Sequence, residues 1–200
     1  MKLAIKIFVL FFIPFICFIS SSCVQKPNNL KVQQDRKVID FKDVSEKGNW
    51  LIINDGVMGG ISKSEIIFSD SGKAVFKGTV SLENNGGFAS TRSKSRLYGL
   101  IGYAGLLLRV KGDGKNYQLR LRTDKRFDGI SYRYIFETEP DTWITLRAPF
   151  TEFTPVFRGR ILEDVSPIFP SQIQQIGFLI ADKQSGAFHL EIEWIKAYKK

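Results

Sequence analysis

The chain has 200 residues, a formal net charge of +9 and only two cysteines. This length fits one main domain with a core of adequate size. The chain has a single histidine, so a His-rich zinc site cannot form, and few residues are available for Cys-His or Ser-His-Asp catalysis. The basic balance favours anionic partners such as lipid headgroups, acidic proteins or polyanionic glycans.

The first 22 residues have the pattern of an export signal. Two lysines precede an almost wholly apolar run over residues 7–19, which is too short and wrongly flanked for a membrane-spanning helix. Small residues then lead directly into Cys23, as in a bacterial lipoprotein cleavage box, although Ser20 stands where such a box usually has leucine. We therefore predict a signal peptide over 1–22 and lipidation of Cys23. An ordinary cleaved signal and an uncleaved anchor are the alternatives.

This interpretation sets the expected location and class of partner. A lipidated chain would be exported and anchored in a membrane, facing the periplasm or the cell exterior. Nucleic acid is not an expected partner for an exported chain, whereas the membrane is one through the lipid.

The rest of the sequence divides into a tether and a strand-rich domain. Residues 23–36 are polar and without hydrophobic period, so we predict a flexible tether there. Over 37–200, short apolar runs alternate with turns, and no long amphipathic helix is evident. This pattern predicts an all-β antiparallel sandwich or barrel, whose core the 17 Phe, 6 Tyr and 3 Trp would fill.

The clearest two-residue period places arginines on one side of a strand. Tyr117, Leu119 and Leu121 point one way, and Gln118, Arg120 and Arg122 point the other. Arg133 could join Arg120 and Arg122 from a neighbouring strand. One hypothesis is a cationic patch for an acidic partner or anionic sugar, because arginine binds carboxylates through two hydrogen bonds. The opposing interpretation is an ordinary charged outer face paired with nearby carboxylates, namely Glu137, Glu139 and Asp141.

Two segments rich in glycine and asparagine, 54–60 and 83–88, lie between strand-like runs. Glycine there permits positive φ or close approach of another backbone. Neither segment has the lysine and following Ser/Thr of a phosphate-binding loop. The binding-loop candidates are Asn54, Asp55, Gly56, Met58, Gly59, Gly60, Asn84, Asn85, Gly86, Gly87, Phe88, Arg92 and Asp113.

The oxygen-bearing candidates have two interpretations. Asn54, Asp55, Asn84, Asn85 and Asp113 could converge at one end of the sandwich, where they would hold Ca²⁺ or bind sugar hydroxyls. Alternatively, asparagine and aspartate in such positions stabilise turns by bonding to their own backbone.

Catalytic constellations are weak in this sequence. His189, Glu191 and Glu193 alternate with apolar residues and are expected on the outer face of a strand. Neither this glutamate pair nor the adjacent Glu163 and Asp164 has a distinctive catalytic context. We assign no catalytic residue, no metal and no cofactor, and an enzyme with a carboxylate-based site is the weakest alternative.

A series of motifs in order resembles the complex I intermediate-associated protein 30 family over roughly residues 41–198. The motifs are Trp50, 54–62, 76–78, 82–90, Arg92, 105–106, 110–114, Tyr117, Trp143, 149–150, Phe153, Pro155, 158–159, 176–178, 186–188 and 190–192. The resemblance implies a galactose-binding-like jelly-roll β-sandwich. It also implies a relation to mitochondrial proteins that act as non-catalytic assembly factors for respiratory complex I.

The predicted export signal separates this chain from the mitochondrial members, which would carry a transit peptide instead. We expect the fold and a binding surface to carry over. The predicted function is therefore non-catalytic scaffolding, or assistance in assembling an envelope protein complex, with a protein partner. The leading alternative is a carbohydrate-binding module that uses the loops around Asn54-Asp55 and Asn84-Asn85.

Overall fold

A computed structural model describes residues 35–200, which are built almost entirely of β-strands. The predicted signal over 1–22, Cys23 and nearly all of the predicted tether lie outside the described residues. The first strand begins at Arg36, the last residue of that predicted tether. Among the described residues, no helix is long and apolar enough to cross a membrane.

Thirteen strands and five short 3-10 helices make up the described chain. The strands are β1 (Arg36–Asp40), β2 (Trp50–Ile52), β3 (Lys63–Phe68), β4 (Ala74–Val80), β5 (Ala89–Ser93), β6 (Gly105–Lys111), β7 (Asn116–Arg122), β8 (Ser131–Glu137), β9 (Trp143–Pro149), β10 (Thr154–Phe157), β11 (Arg160–Ile161), β12 (Gln175–Ile180) and β13 (Gly186–Tyr198). The 3-10 helices are Val44–Gly48, Asp55–Met58, Glu83–Asn85, Phe150–Glu152 and Pro170–Gln172.

The strands form two antiparallel sheets. Sheet A has the order β3-β4-β13-β6-β9, with β1 also paired to β13. Sheet B has the order β11-β10-β8-β7-β12-β5-β2. The long strand β13 holds sheet A together, because its first half pairs with β4 and its second half with β1. The predicted all-β sandwich is confirmed.

Alternation along the strands builds the core between the sheets. Tyr117, Leu119 and Leu121 on β7 are fully buried, as the two-residue period predicts. From sheet A, Leu106 and Leu108 on β6 are buried as well. The hydroxyl of Tyr117 donates to Asp113 at 2.9 Å, so this buried polar group is satisfied.

Both ends of the described chain lie at the same end of the sandwich. Strand β5 runs from the second glycine segment towards a loop that begins at Lys94. Arg36 donates to the carbonyl of Tyr98 in that loop, and Ala104 donates to the carbonyl of Tyr198 at 2.9 Å. The domain therefore begins and ends opposite the glycine segments.

Strands β1, β10 and β11 were not predicted individually from the sequence. Strand β10 contains Pro155, which has no backbone N–H, and it lies next to the sheet edge formed by the two-residue strand β11. Residues 160–169 open with strand β11 and then continue as an irregular loop.

Candidate binding surfaces

Asp55 joins the two glycine segments through a fully buried carboxylate. Its Oδ1 accepts from the backbone N–H of Ser62 at 2.9 Å, and its Oδ2 accepts from the Ser62 hydroxyl at 2.5 Å. The same Oδ2 accepts from the backbone N–H groups of Gly87 at 2.7 Å and Phe88 at 3.3 Å. One side chain thus fixes the position of both loops, an arrangement we call the Asp55 clamp.

The neighbouring glycines are required because this carboxylate packs against backbone. A Cβ at Gly60 would lie 2.4 Å from Asp55 Cγ, and one at Gly86 would lie 2.6 Å from Asp55 Oδ2. Gly87 also has a φ of +132°, a backbone conformation that residues with a side chain rarely adopt. The glycine content of the loops therefore has a packing cause at the Asp55 clamp.

Asp55 remains ionised in the clamp. Burial alone would raise its pKa, but hydrogen bonds from the Ser62 side chain, Gly87, Phe88 and the Ser62 backbone outweigh burial and hold the pKa below its usual range. A buried carboxylate with four donors is satisfied in its charged form.

The other oxygen-bearing candidates are also occupied or oriented by the fold. Asn54 Oδ1 accepts from the Ser64 hydroxyl at 2.7 Å and the Ser90 N–H at 3.4 Å. Asn84 and Asn85 are exposed, and their φ values of +54° and +58° are those of asparagine in a tight turn.

Asp113 lies apart from the clamp. Its carboxylate accepts from the Tyr117 hydroxyl and from the backbone N–H of His189 at 3.0 Å, and it shares no hydrogen bond with the glycine loops. Within residues 35–200 there is no cluster of three or more His, Cys, Asp or Glu that could hold a metal ion. The structure thus unites the two loops but does not bring the five oxygen-bearing residues together.

The clamped loops expose several apolar side chains. Four large aliphatic side chains there are 46–65% exposed: Val57, Met58, Ile61 and Leu82. Ile61 and Leu82 line the same shallow depression. We call these four residues the apolar rim. Sequence reasoning singled out Met58 alone, although aliphatic residues inside turn-rich segments were the available signal.

A second surface lies on the outer face of sheet B, the face away from the core. Cross-strand pairing aligns Arg92 on β5, Gly177 on β12, Arg120 on β7 and Arg133 on β8 in one line. Because strands lie about 4.8 Å apart, this line spans roughly 14 Å. Arg122 follows Arg120 on the same face. We call Arg92, Arg120, Arg122 and Arg133 the arginine row.

Polar residues in the middle of this face are covered by their neighbours. Gln118 and Ser131 are only 2% and 5% exposed, although they point away from the core. Both hold Arg120, whose Nε donates to Gln118 Oε1 at 2.9 Å and whose Nη1 donates to Ser131 Oγ at 2.9 Å. Arg122 donates to the carbonyl of Gly129 at 2.9 Å. The guanidinium groups are therefore positioned by neutral groups.

Arg92 completes the row at its other end. Its Nη2 donates to the carbonyl of Phe127 at 2.8 Å, and its guanidinium carbon lies 4.9 Å from the centre of the Phe127 ring. The side chain is only 9% exposed, and its buried Nε has no hydrogen-bond partner within the described part of the chain.

The row has no directly paired carboxylate in the described residues, although Asp182 attracts Arg120, and Asp124 and Asp128 attract Arg122 from further away. Among residues 35–200, no carboxylate lies within 4.0 Å of these four arginines, so the pairs considered with Glu137, Glu139 and Asp141 do not form. Burial, then repulsion from Arg133 and Arg122, lowers the pKa of Arg120 to about 10. Burial and Arg122 likewise lower the pKa of Arg92 to about 10, against the attraction of Asp128. Both groups stay charged at neutral pH.

The outer face of sheet A holds the carboxylates considered for catalysis. Glu191 forms ion pairs with Lys111 at 2.7 Å and with Lys73 at 3.8 Å. His189 lies beside it, with Nε2 3.6 Å from Glu191 Oε1, on a half-exposed side chain. The outward placement of His189 is confirmed.

The architecture defines the class of protein as a galactose-binding-like β-sandwich. A solved structure of the family 11 carbohydrate-binding module of a cellulosomal cellulase from Clostridium thermocellum is similar, with a TM-score of 0.63 and 18% sequence identity. The alignment covers 84% of this chain and 95% of that module. The predicted fold is confirmed by this likeness.

The family follows from the sequence. Residues 39–192 match the family model of complex I intermediate-associated protein 30, and the chain belongs to that family. It is 27% identical over 187 residues to the mouse protein "Complex I intermediate-associated protein 30, mitochondrial". It is 28% identical over 205 residues to a "Probable complex I intermediate-associated protein 30, mitochondrial" of Caenorhabditis briggsae. These alignments cover 84% and 90% of this chain but only 57% and 60% of the relatives' own length.

Proposed function

We propose that this domain is a non-catalytic binding module that helps a protein complex to assemble, and that it docks on a partner protein through the apolar rim. The family relationship supports the class of function, since the relatives are named for association with an intermediate of complex I. The rim carries the proposal for the surface, because its aliphatic side chains are exposed on loops that the Asp55 clamp holds.

Rigidity makes this surface suited to docking. Exposed aliphatic side chains that lie together, as Ile61 and Leu82 do along one depression, often mark an interaction site. Loops that are already ordered lose less conformational entropy when a partner binds. The Asp55 clamp provides that order, because it ties together residues 32 positions apart in the chain.

Site-specific photocrosslinking in cells tests this docking surface. A photoreactive amino acid would replace Met58 in the rim or, as the control, Ser71 in the exposed turn between β3 and β4. We expect a defined protein adduct from position 58 that mass spectrometry identifies and that position 71 does not give. Equal adducts from both positions, or no protein adduct from position 58, would contradict docking through the rim. Glycan retention that depends on the loops, without any protein adduct, would replace this function with carbohydrate binding.

We also propose that the chain is exported and lipidated at Cys23, so that the assisted complex lies in the cell envelope. The basic start, the apolar run and the small residues before Cys23 support this location. Metabolic labelling with an alkyne fatty acid tests it, and the second cysteine provides a matched control. We expect Cys23→Ser to abolish labelling and Cys17→Ser to retain it. Equal labelling of both variants would refute lipidation at Cys23.

A further inference from the structure

We propose that the arginine row is a second binding site, independent of the apolar rim, and that it takes an acidic segment of a polypeptide in extended form. The carboxylates of that segment would lie along the line of guanidinium groups from Arg92 to Arg133. The site is on the outer face of sheet B, whereas the rim belongs to the glycine loops.

Gly177 is buried and lets Arg92 pack closely against β12 within the row. A Cβ at this position would lie 2.6 Å from the carbonyl oxygen of Thr91 and 2.8 Å from Arg92 Cβ. No other residue fits there without moving β5. Strand β12 therefore lies between Arg92 and Arg120, whose backbones are two strand spacings, about 10 Å, apart.

The charges of the row call for an anion. Arg120 and Arg133 are direct cross-strand partners, and like charges in that position repel each other. Arg92 brings a buried, unpartnered Nε to the same face. An anion at the row would add a directly paired negative charge, and the guanidinium group of arginine binds a carboxylate through two hydrogen bonds.

The shape of the site favours a linear polyanion over a single small anion. Arg92 and Arg133 stand about 14 Å apart across three strand spacings, which one phosphate group cannot bridge. In an extended peptide, side chains on one face recur about every 6.8 Å, so alternate acidic residues reach successive arginines.

The neighbours of the row favour a peptide over an acidic sugar. Aliphatic residues share this face: Leu51 pairs with Arg92 and is 39% exposed, and Ile135 follows Arg133 and is 47% exposed. One exposed aromatic ring also borders the row, because Phe127 is 63% exposed and lies against the Arg92 guanidinium. Aliphatic contacts beside cations suit a segment that mixes acidic and apolar side chains.

Fluorescence anisotropy with a labelled twelve-residue peptide of repeating Gly-Glu-Leu-Glu tests the site. We expect the domain to bind this probe, and Arg120→Gln and Arg92→Gln each to raise the Kd about tenfold or more, because each removes a charge-assisted contact. The matched control is Arg147→Gln, which removes the same charge from an exposed position on sheet A. It should leave the Kd within about twofold.

A further variant guards against misfolding as the cause of lost binding. Within residues 35–200 the Arg133 side chain makes no hydrogen bond, so its replacement removes no such contact from the fold. Arg133→Gln should therefore weaken binding of the probe and leave the thermal unfolding transition intact. The site assignment is refuted if the probe does not bind, or if Arg147→Gln weakens it as much as Arg120→Gln does. Tighter binding of oligogalacturonate than of the peptide would overturn the choice of polypeptide. Saturation by inorganic phosphate alone would overturn the linear site. None of these results bears on the apolar rim, which the crosslinking at Met58 tests separately.

Discussion

Single residues decide the properties of both surfaces, and Asp55 shows this most directly. Its carboxylate has no exposed surface and accepts four hydrogen bonds from two loops that are far apart in the chain. A buried charge of this kind stabilises a fold only while its donors are in place. The Asp55 clamp is therefore a point at which one substitution should loosen a whole end of the domain.

Replacing Asp55 by asparagine should lower the free energy of unfolding by about 2–4 kcal/mol. The side-chain amide would point its own N–H groups at the N–H and O–H donors that now bond to the carboxylate. Urea denaturation measures this, with Asp70→Asn in an exposed turn as the control that should change stability by less than about 0.5 kcal/mol.

The stabilisation by Asp55 also depends on pH. Folding lowers the pKa of Asp55. Its contribution to the free energy of unfolding is therefore complete above the ordinary carboxyl pKa of about 4, and it is lost as the pH falls through the lower pKa of the folded state. The difference between the wild type and Asp55→Asn should therefore shrink between pH 7 and pH 3. A difference that grows in acid would contradict an ionised clamp.

Arg133 in the arginine row differs from Asp55, because its charge is expected to destabilise the fold. It stands directly opposite Arg120, and no carboxylate of residues 35–200 pairs with either. Removing one charge should relieve repulsion, so Arg133→Gln should raise the free energy of unfolding by about 0.5 kcal/mol. Urea denaturation at low salt is the measurement, and the gain should fade at high salt, where exposed charges are screened. Destabilisation by this variant would show that Arg133 holds the fold.

At the scale of strands, the close contact between β12 and β5 depends on Gly177. Gly177→Ala should destabilise the domain by about 2 kcal/mol or more, because its Cβ would meet the Thr91 carbonyl and the Arg92 side chain. Gly48→Ala is the matched control, since a Cβ there has nothing within 4 Å and should change stability little. Thermal unfolding of the two variants separates this clash from the general effect of replacing glycine.

Strands also show what the sequence could and could not predict. The two-residue period correctly placed Arg120, Arg122 and Arg133 on outer faces, because alternation is a local property of each strand. It could not add Arg92 to them, because that needs the register of β5 against β12 and of β12 against β7. Likewise, the partners of Asp55 lie 7 to 33 residues away, so its role as a clamp depends on tertiary folding.

At the scale of the whole molecule, the two surfaces divide the protein into separately testable parts. The rim belongs to loops at one end, and the arginine row lies across the outer face of sheet B. Substitutions at sites this far apart, with no shared partners, should add in their effects on stability. A partner that needs both surfaces would gain through effective concentration, since two weak contacts on one rigid domain reinforce each other.

The position of the chain ends gives the domain a direction. Arg36 and Tyr198 both lie at the end of the sandwich opposite the glycine loops. A biosensor chip or a bead could therefore hold this protein by Lys200 with its rim still turned outward, and a fusion partner placed at Lys200 should leave crosslinking at Met58 unchanged.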